Sequence, residues 1–204
     1  GLGDVYKRQG FSSVDFSQLK GSMGGGMAVQ RSVAEKWQEV TGNVLTQGYG
    51  LTETSPIVTS NLLGESSFSG SVGLPITATE VAIFDDDGNM VAGGEIGEIC
   101  VRGPQVMPGY WNRPEETAAV FLDEGWFCTG DIGRMDERGF VYIEDRKKDL
   151  IIVSGFNVYP NEIEDVVAKH PSVLEVAAVG VEDSHSGEAV KLFVVKKDKS
   201  PVSY

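Results

Sequence analysis

The chain has 204 residues, with 30 acidic against 17 basic side chains and a formal net charge of −13. That balance argues against non-specific nucleic-acid binding, which needs a basic footprint. It leaves nucleotide binding open, because a few Arg or Lys side chains, Mg²⁺ or backbone N–H groups hold phosphate locally.

No stretch approaches the roughly 18 consecutive apolar residues of a membrane span. Two cysteines, Cys100 and Cys128, do not make a disulfide framework, so a reducing cytosol is the expected setting. No signal peptide is visible. The length suits one or two domains and is ample for a core. The 26 glycines are roughly twice the usual share, which points to many tight turns.

In chain order, Gly1 to about Gln9 has no clear period and fits poorly with the residues after it; it reads as a tag, a cloning scar or a truncated start. From Val14 the pattern becomes regular. Met23-Gly24-Gly25-Gly26-Met27 precedes a helix with Val29, Val33, Trp37 and Val40 at helical spacing and a stop at Thr41-Gly42. Val44 to Thr46 reads as a short strand leading into a turn, Gly48-Tyr49-Gly50-Leu51-Thr52-Glu53.

Ser71 to Ile143 reads as short strands and turns, with strands at Glu80–Phe84 and Glu98–Arg102 and a loop at Asp85–Asn89. The triple Asp there lacks the ligand spacing and closing Glu of a calcium loop. Arg113 to Thr117 starts a short helix with Pro in its first turn.

Arg146 to Asp149 is a charged bridge between two apolar strands, Phe140–Ile143 and Leu150–Val153, and reads as a hinge or domain boundary. Pro160 opens a helix with Ile163, Val166 and Val167 on one face, ended by His170-Pro171. Strands Val173–Val181 and Ala189–Val195 come next. The run Val176 to Val181 reads as buried.

Several residue groups could carry chemistry. Three glycines without side chains let a flat ligand lie against backbone, and a following helix N-terminus favours anions; a plain loop is the alternative. Tyr49 can stack on a purine, Thr52 can bond a phosphate oxygen, and Glu53 can hold Mg²⁺. The alternative is a turn capped by Thr52 or Thr54.

Asp131, read at a strand end after Thr129-Gly130, can accept two ribose hydroxyls. Arg146 offers a planar fork to ribose or phosphate. A turn Asp and a solvated Arg are the plain readings. His170 reads as a helix terminator and His185 as part of a polar loop. Neither has a Ser or Cys nucleophile pattern, which disfavours a hydrolase triad.

At these residues the chain resembles the adenylate-forming superfamily of acyl-CoA synthetases, peptide-synthetase adenylation domains and luciferases. Gly125 to Gly155, GWFCTGDIGRMDERGFVYIEDRKKDLIIVSG, is similar to the fatty-acyl-CoA synthetase signature, and Phe156 to Glu164, FNVYPNEIE, matches the next block. Within the superfamily, the chain looks like the bacterial long-chain fatty-acid–CoA ligases. The resemblance runs from about residue 11 to the end.

The resemblance implies a mixed α/β (α+β) fold. Residues 10–145 would be the C-terminal part of the large AMP-binding domain with its β-rich subdomain. Residues 146–149 would be a hinge, and 150–204 the first part of the small α+β domain. Gly24, Gly25, Gly26 and Met27 would line adenine, with Gln47, Gly48, Gly50 and Leu51 also against the nucleotide. Tyr49 would stack on adenine, Thr52 would touch the α-phosphate, and Glu53 would hold Mg²⁺. Asp131 and Arg146 would bind ribose and Lys148 would be the hinge. Asn157 would lie near the adenylate, and Ser154 and Gly155 near the pantetheine arm of CoA.

The substrates implied are a fatty acid, ATP (leaving AMP) and coenzyme A, without nucleic acid. The location implied is the cytoplasm, with peripheral contact to the inner face of the membrane open to the full-length enzyme. The family's phosphate loop and C-terminal lysine are not in the sequence, so it is expected to be an internal piece, inactive alone. An adenylation domain loading a carrier protein, a luciferase-like oxidase and a non-catalytic nucleotide-binding module are the rival readings.

Overall fold

The computed structural model describes residues 10–27, 29–64 and 67–197. The irregular start, Gly1 to Gln9, and the end of the 150–204 segment lie outside the described residues. The chain divides into two compact units, Gly1–Thr129 with Gly133–Ile143, and Gly130–Ile132 with Glu144–Tyr204. The expected hinge, 146–149, falls within the second.

In the first unit, helix α1 (Arg31–Thr41) buries Ala34, Trp37 and Thr41. These lie on one stripe at three- and four-residue spacing. The stripe is centred one residue from the expected Val33–Trp37–Val40 line, whose valines are half-buried. Gly42 ends the helix with φ 72°, donating its N–H to Gln38 O at 2.9 Å.

Strands β1 (Ser22–Gly24) and β2 (Leu45–Tyr49) pair in parallel. Strands β3 (Thr59–Ser60) and β4 (Leu74–Pro75) continue this sheet antiparallel. The strand expected at Val44–Thr46 therefore extends to Tyr49, and Gly48 and Tyr49 belong to the sheet rather than to a turn. Their pairing with Ser60 and Thr59, distant in sequence, supplies the ladder that local pattern does not reveal.

A second sheet has the order β5 (Glu80–Phe84), β6 (Gly97–Arg102), β7 (Phe127–Met135), β8 (Val141–Arg146). Successive side chains on a strand point to opposite faces, and here both faces are buried. Val81, Ile83, Ile99 and Val101 join one cluster with Tyr49, Val58 and Val141. Ala82, Phe84 and Cys100 join another with Trp126. Fully burying such a Val, Ile or Phe stabilises by about 1.5–3 kcal/mol.

The short helix α2 (Pro114–Ala118) has Pro at its first turn, as its sequence predicts. In the Asp85–Asn89 turn, Asp85 Oδ1 accepts the N–H groups of Asp87 and Asn89, which hold its carboxyl below the usual range. Asp131, expected at a strand end, lies in the middle of β7 instead. Gly130, at φ 74°, supplies the turn signal without ending the strand.

In the second unit, β9 (Ile151–Val153) and β10 (Phe156–Val158) form a hairpin through Ser154-Gly155. Both residues have positive φ, 51° and 83°, as a two-residue turn of this hand requires. Helix α3 (Pro160–Ala168) comes next, then β11 (Val173–Asp183) and β12 (Gly187–Lys196), giving the order β10-β9-β12-β11.

Two expectations fail here. In the run Val176–Val181 only Ala178 is buried, with Val179 and Val181 exposed. β11 is the sheet's edge, and α3, the unit's one α-helix among the described residues, meets it at Glu164, whose Oε1 accepts the Ala178 N–H at 2.8 Å. Val166 is 66% exposed, because α3 turns Ile163, Glu164, Val167 and Ala168 inward. His170 ends the helix region, its Nδ1 accepting the Ser172 N–H at 3.2 Å.

Candidate functional site

The candidate residues of the first unit gather at the carboxyl ends of two parallel neighbours, β1 and β2. Ligands bind outside such strand ends in open α/β sheets. Gly24 pairs with Gln47, so the chain leaves both strands side by side. A Cβ on Gly25 would stand 3.0 Å from Gly48 O, which measures how closely the two exits run. Gly26 and Met27 are exposed beyond them.

Gln47 and Tyr49 face inward. The Gln47 side-chain amide donates to Ser71 O at 3.2 Å, and Tyr49 is 8% exposed within the core cluster. Gly50 has a backbone reason for its identity: a side chain there would collide with the Pro56 carbonyl. Leu51 packs against the core.

The turn Thr52–Thr54 divides its hydroxyls between two tasks. Buried Thr54 does the local capping. Its Oγ1 accepts the Leu51 N–H at 3.0 Å and lies within donating distance of the Leu51 and Pro56 carbonyls at 3.0 and 3.1 Å. Thr52 is left exposed.

Glu53 is half-buried, and its Oε1 accepts the Tyr110 hydroxyl at 3.0 Å. Burial first, then this bond and the Glu53 charge, raises the Tyr110 phenol above its ordinary value. No group of three His, Cys, Asp or Glu side chains could hold a metal among the described residues. Mg²⁺ commonly uses one or two carboxylates and takes its other ligands from water and substrate phosphates. A single accessible Glu53 fits that mode.

In the second unit Asp131 is buried, and its Oδ1 lies 3.4 Å from Arg146 Nε, with Arg146 largely exposed. These two sequence-predicted residues, fifteen positions apart, are brought together by neighbouring strands β7 and β8. Asp145, also buried, accepts the Arg146 N–H at 2.8 Å and the Asn161 N–H at 3.0 Å. Asn161 in turn donates its side-chain amide to Glu144 O at 3.1 Å. A carboxylate at the N-terminus of α3 is favoured by the orphan N–H groups and the helix dipole.

Lys148 lies exposed in a one-turn helix, Lys147–Asp149. Ser154, Gly155 and Asn157 are exposed on the β9–β10 hairpin. Burial raises the Tyr159 phenol, opposed by a bond from Asn157 and aided by the charges of Glu144, Glu162 and Asp145.

Two residues escape sequence reasoning. Tyr110 sits in an irregular loop with no period, and only its place between Gly109 and a Pro-started helix marks it. Asp145 is visible only as part of a charge run; its partner Asn161, next to Pro160, is the available signal for a helix cap. A groove elsewhere on the first unit, lined by Thr79, Val81, Met90, Arg102 and Met135, contains none of the predicted residues.

Residues 4–111 match the AMP-binding enzyme family, and residues 162–203 match the AMP-binding enzyme C-terminal domain. The chain belongs to the AMP-binding enzyme family. Among curated relatives, the long-chain-fatty-acid–CoA ligase of Escherichia coli O157:H7 is 60% identical over 190 residues, 93% of this chain and 34% of that protein. The chain thus spans about a third of the length of the curated relatives it matches.

Among solved structures, the amide bond synthetase McbA from Marinactinospora thermotolerans has a TM-score of 0.89 at 37% identity, covering 99% of this chain and 42% of that one. ATP-bound MatB from Rhodopseudomonas palustris has a TM-score of 0.84 at 38% identity, covering 89% and 36%. Against this family background, the mixed α/β fold agrees with what the sequence implies.

Proposed function

We propose that this AMP-binding enzyme chain is part of an AMP-forming long-chain fatty-acid–CoA ligase. The observation that carries the reading is the 60% identity over 190 residues to the Escherichia coli O157:H7 ligase, against 37% to the amide bond synthetase McbA and 38% to MatB. The fatty-acid carboxylate attacks the α-phosphorus of MgATP and expels pyrophosphate, giving acyl-AMP. The CoA thiol then attacks the acyl carbon and expels AMP. Most of the rate comes from positioning and charge stabilisation rather than from a protein nucleophile.

On the first unit, the backbone at Gly24–Met27 and Gly48–Leu51 would lie against adenine, while the Tyr49 ring stays within the core cluster. Thr52 would bond the α-phosphate. Glu53 would hold the Mg²⁺ that accompanies ATP and offsets phosphate charge. On the second unit, Asp131 would accept both ribose hydroxyls, beside the Arg146 fork. Lys148 would be the pivot that changes the small domain's orientation between half-reactions. Asn157 would approach the adenylate, and Ser154-Gly155 the pantetheine arm. A cytoplasmic enzyme with peripheral membrane contact fits these substrates, and among the described residues no helix is long and apolar enough to cross a membrane.

The test is an ATP–pyrophosphate exchange screen of the full-length protein against carboxylic acids of varied chain length. Exchange driven by long-chain fatty acids, followed by acyl-CoA formation, is the expected result. Exchange driven only by amino or aromatic acids would replace the reading with another adenylating activity.

A further inference from the structure

Glu53 is gripped by a loop that the nucleotide reading leaves without a task. Its backbone carbonyl accepts the Met107 N–H at 2.8 Å, and its side-chain Oε1 accepts the Tyr110 hydroxyl at 3.0 Å. The same loop is anchored behind Tyr110. The Tyr110 N–H donates to Thr117 Oγ1 at 2.9 Å, and that hydroxyl donates to Arg113 O at 2.7 Å. Gly109, at φ 146°, lets the loop pass: a Cβ there would stand 2.6 Å from the Thr117 methyl.

Glu53 sits in a single three-residue turn, and its side chain carries a bond from the Tyr110 hydroxyl at one carboxylate oxygen. A glutamate free to rotate loses conformational entropy whenever it takes a ligand. A phenol fixed to one carboxylate oxygen removes part of that loss beforehand and sets the direction of the other oxygen. Groups that orient a metal-holding side chain act in this way. Both residues are partly exposed, so this is not a bond that the core needs.

We propose that Tyr110 is a positioning residue that orients the Glu53 carboxylate toward the divalent cation of MgATP, with Thr117 holding Tyr110 in place. This rests on the reading of Glu53 as the cation's ligand.

The experiment titrates the full-length protein with Mn²⁺, followed by electron paramagnetic resonance, in the presence of a non-hydrolysable ATP analogue. Wild type is compared with Tyr110→Phe, Thr117→Val, Thr117→Ser and Glu53→Gln, each checked by its melting temperature. Tyr110→Phe is expected to weaken Mn²⁺ binding about 10- to 100-fold, with metal-free analogue affinity and melting unchanged. Thr117→Val should weaken it in the same direction, and Thr117→Ser should restore it.

Wild-type Mn²⁺ affinity in Tyr110→Phe, with Glu53→Gln impaired, would overturn the proposal and leave the Glu53 reading standing. Unchanged affinity in Glu53→Gln would remove that reading and the proposal together. Should Tyr110→Phe lose its fold, the contrast between Thr117→Val and Thr117→Ser decides: a difference supports the proposal and equality overturns it.

Discussion

Strands β6 and β12 carry comparable apolar runs and meet different surroundings. Ile99, Cys100 and Val101 of β6 are wholly buried, whereas Leu192, Phe193, Val194 and Val195 of β12 are all exposed. β6 lies inside its sheet with an apolar cluster on each face. β12 pairs along its length only with β11, and its register with β9 is the single pair Gly187–Val153. An apolar run dictates an extended chain through β propensity; burial depends on what packs over each face, which is a property of distant sequence.

The largest effect that would break this contrast is on stability. Ile99→Ala in this chain should cost about 2–5 kcal/mol, from lost transfer energy and a cavity. Val194→Ala should cost no more than about 0.5 kcal/mol, as for an exposed position. Denaturant titration of the two variants checks this; comparable costs would mean that β12 is covered in solution.

A second contrast is between residues that bind and a residue that moves. Proline fixes φ and removes a donor, so Lys148→Pro in the full-length protein should leave one half-reaction near wild type. The other should slow about a hundredfold or more, as misplacement of reacting groups does. The two steps are followed separately by pyrophosphate exchange and by transfer from preformed acyl-AMP. Equal rates in both steps, relative to wild type, would remove the pivot role.

The smallest effect lies at the β11–β12 turn. Asp183 accepts the Ser186 hydroxyl and the N–H groups of Ser186 and His185, and these hold its carboxyl below the ordinary value. A lowered folded-state value means the contribution is present above the ordinary Asp range, near 4, and is lost as pH falls through the folded value. Amide shifts of His185 and Ser186 should therefore titrate below that range in wild type. In Ser186→Ala they should move back toward it.

The sequence reveals most where local chemistry sets local structure. The Gly42 stop, the Pro-started helices and the Glu80–Phe84 strand are each determined within a few residues. It reveals less where partners are far apart. Asp131 and Arg146 can be chosen by residue type and resemblance, but their 3.4 Å approach comes from strand pairing. The task of Tyr110 depends on a partner 57 positions away. The exposure of Val166 reflects which side of α3 meets β11, which apolar spacing alone leaves ambiguous.

The central claim is that the buried Asp131 carboxylate, beside Arg146, binds the nucleotide ribose. Isothermal titration of ATP into the full-length protein and its Asp131→Ala variant tests it directly. Two lost charged hydrogen bonds, at about 1.5–3 kcal/mol each, predict affinity weakened about a hundredfold or more. Unchanged ATP affinity in an Asp131→Ala variant that melts as wild type does would contradict the account.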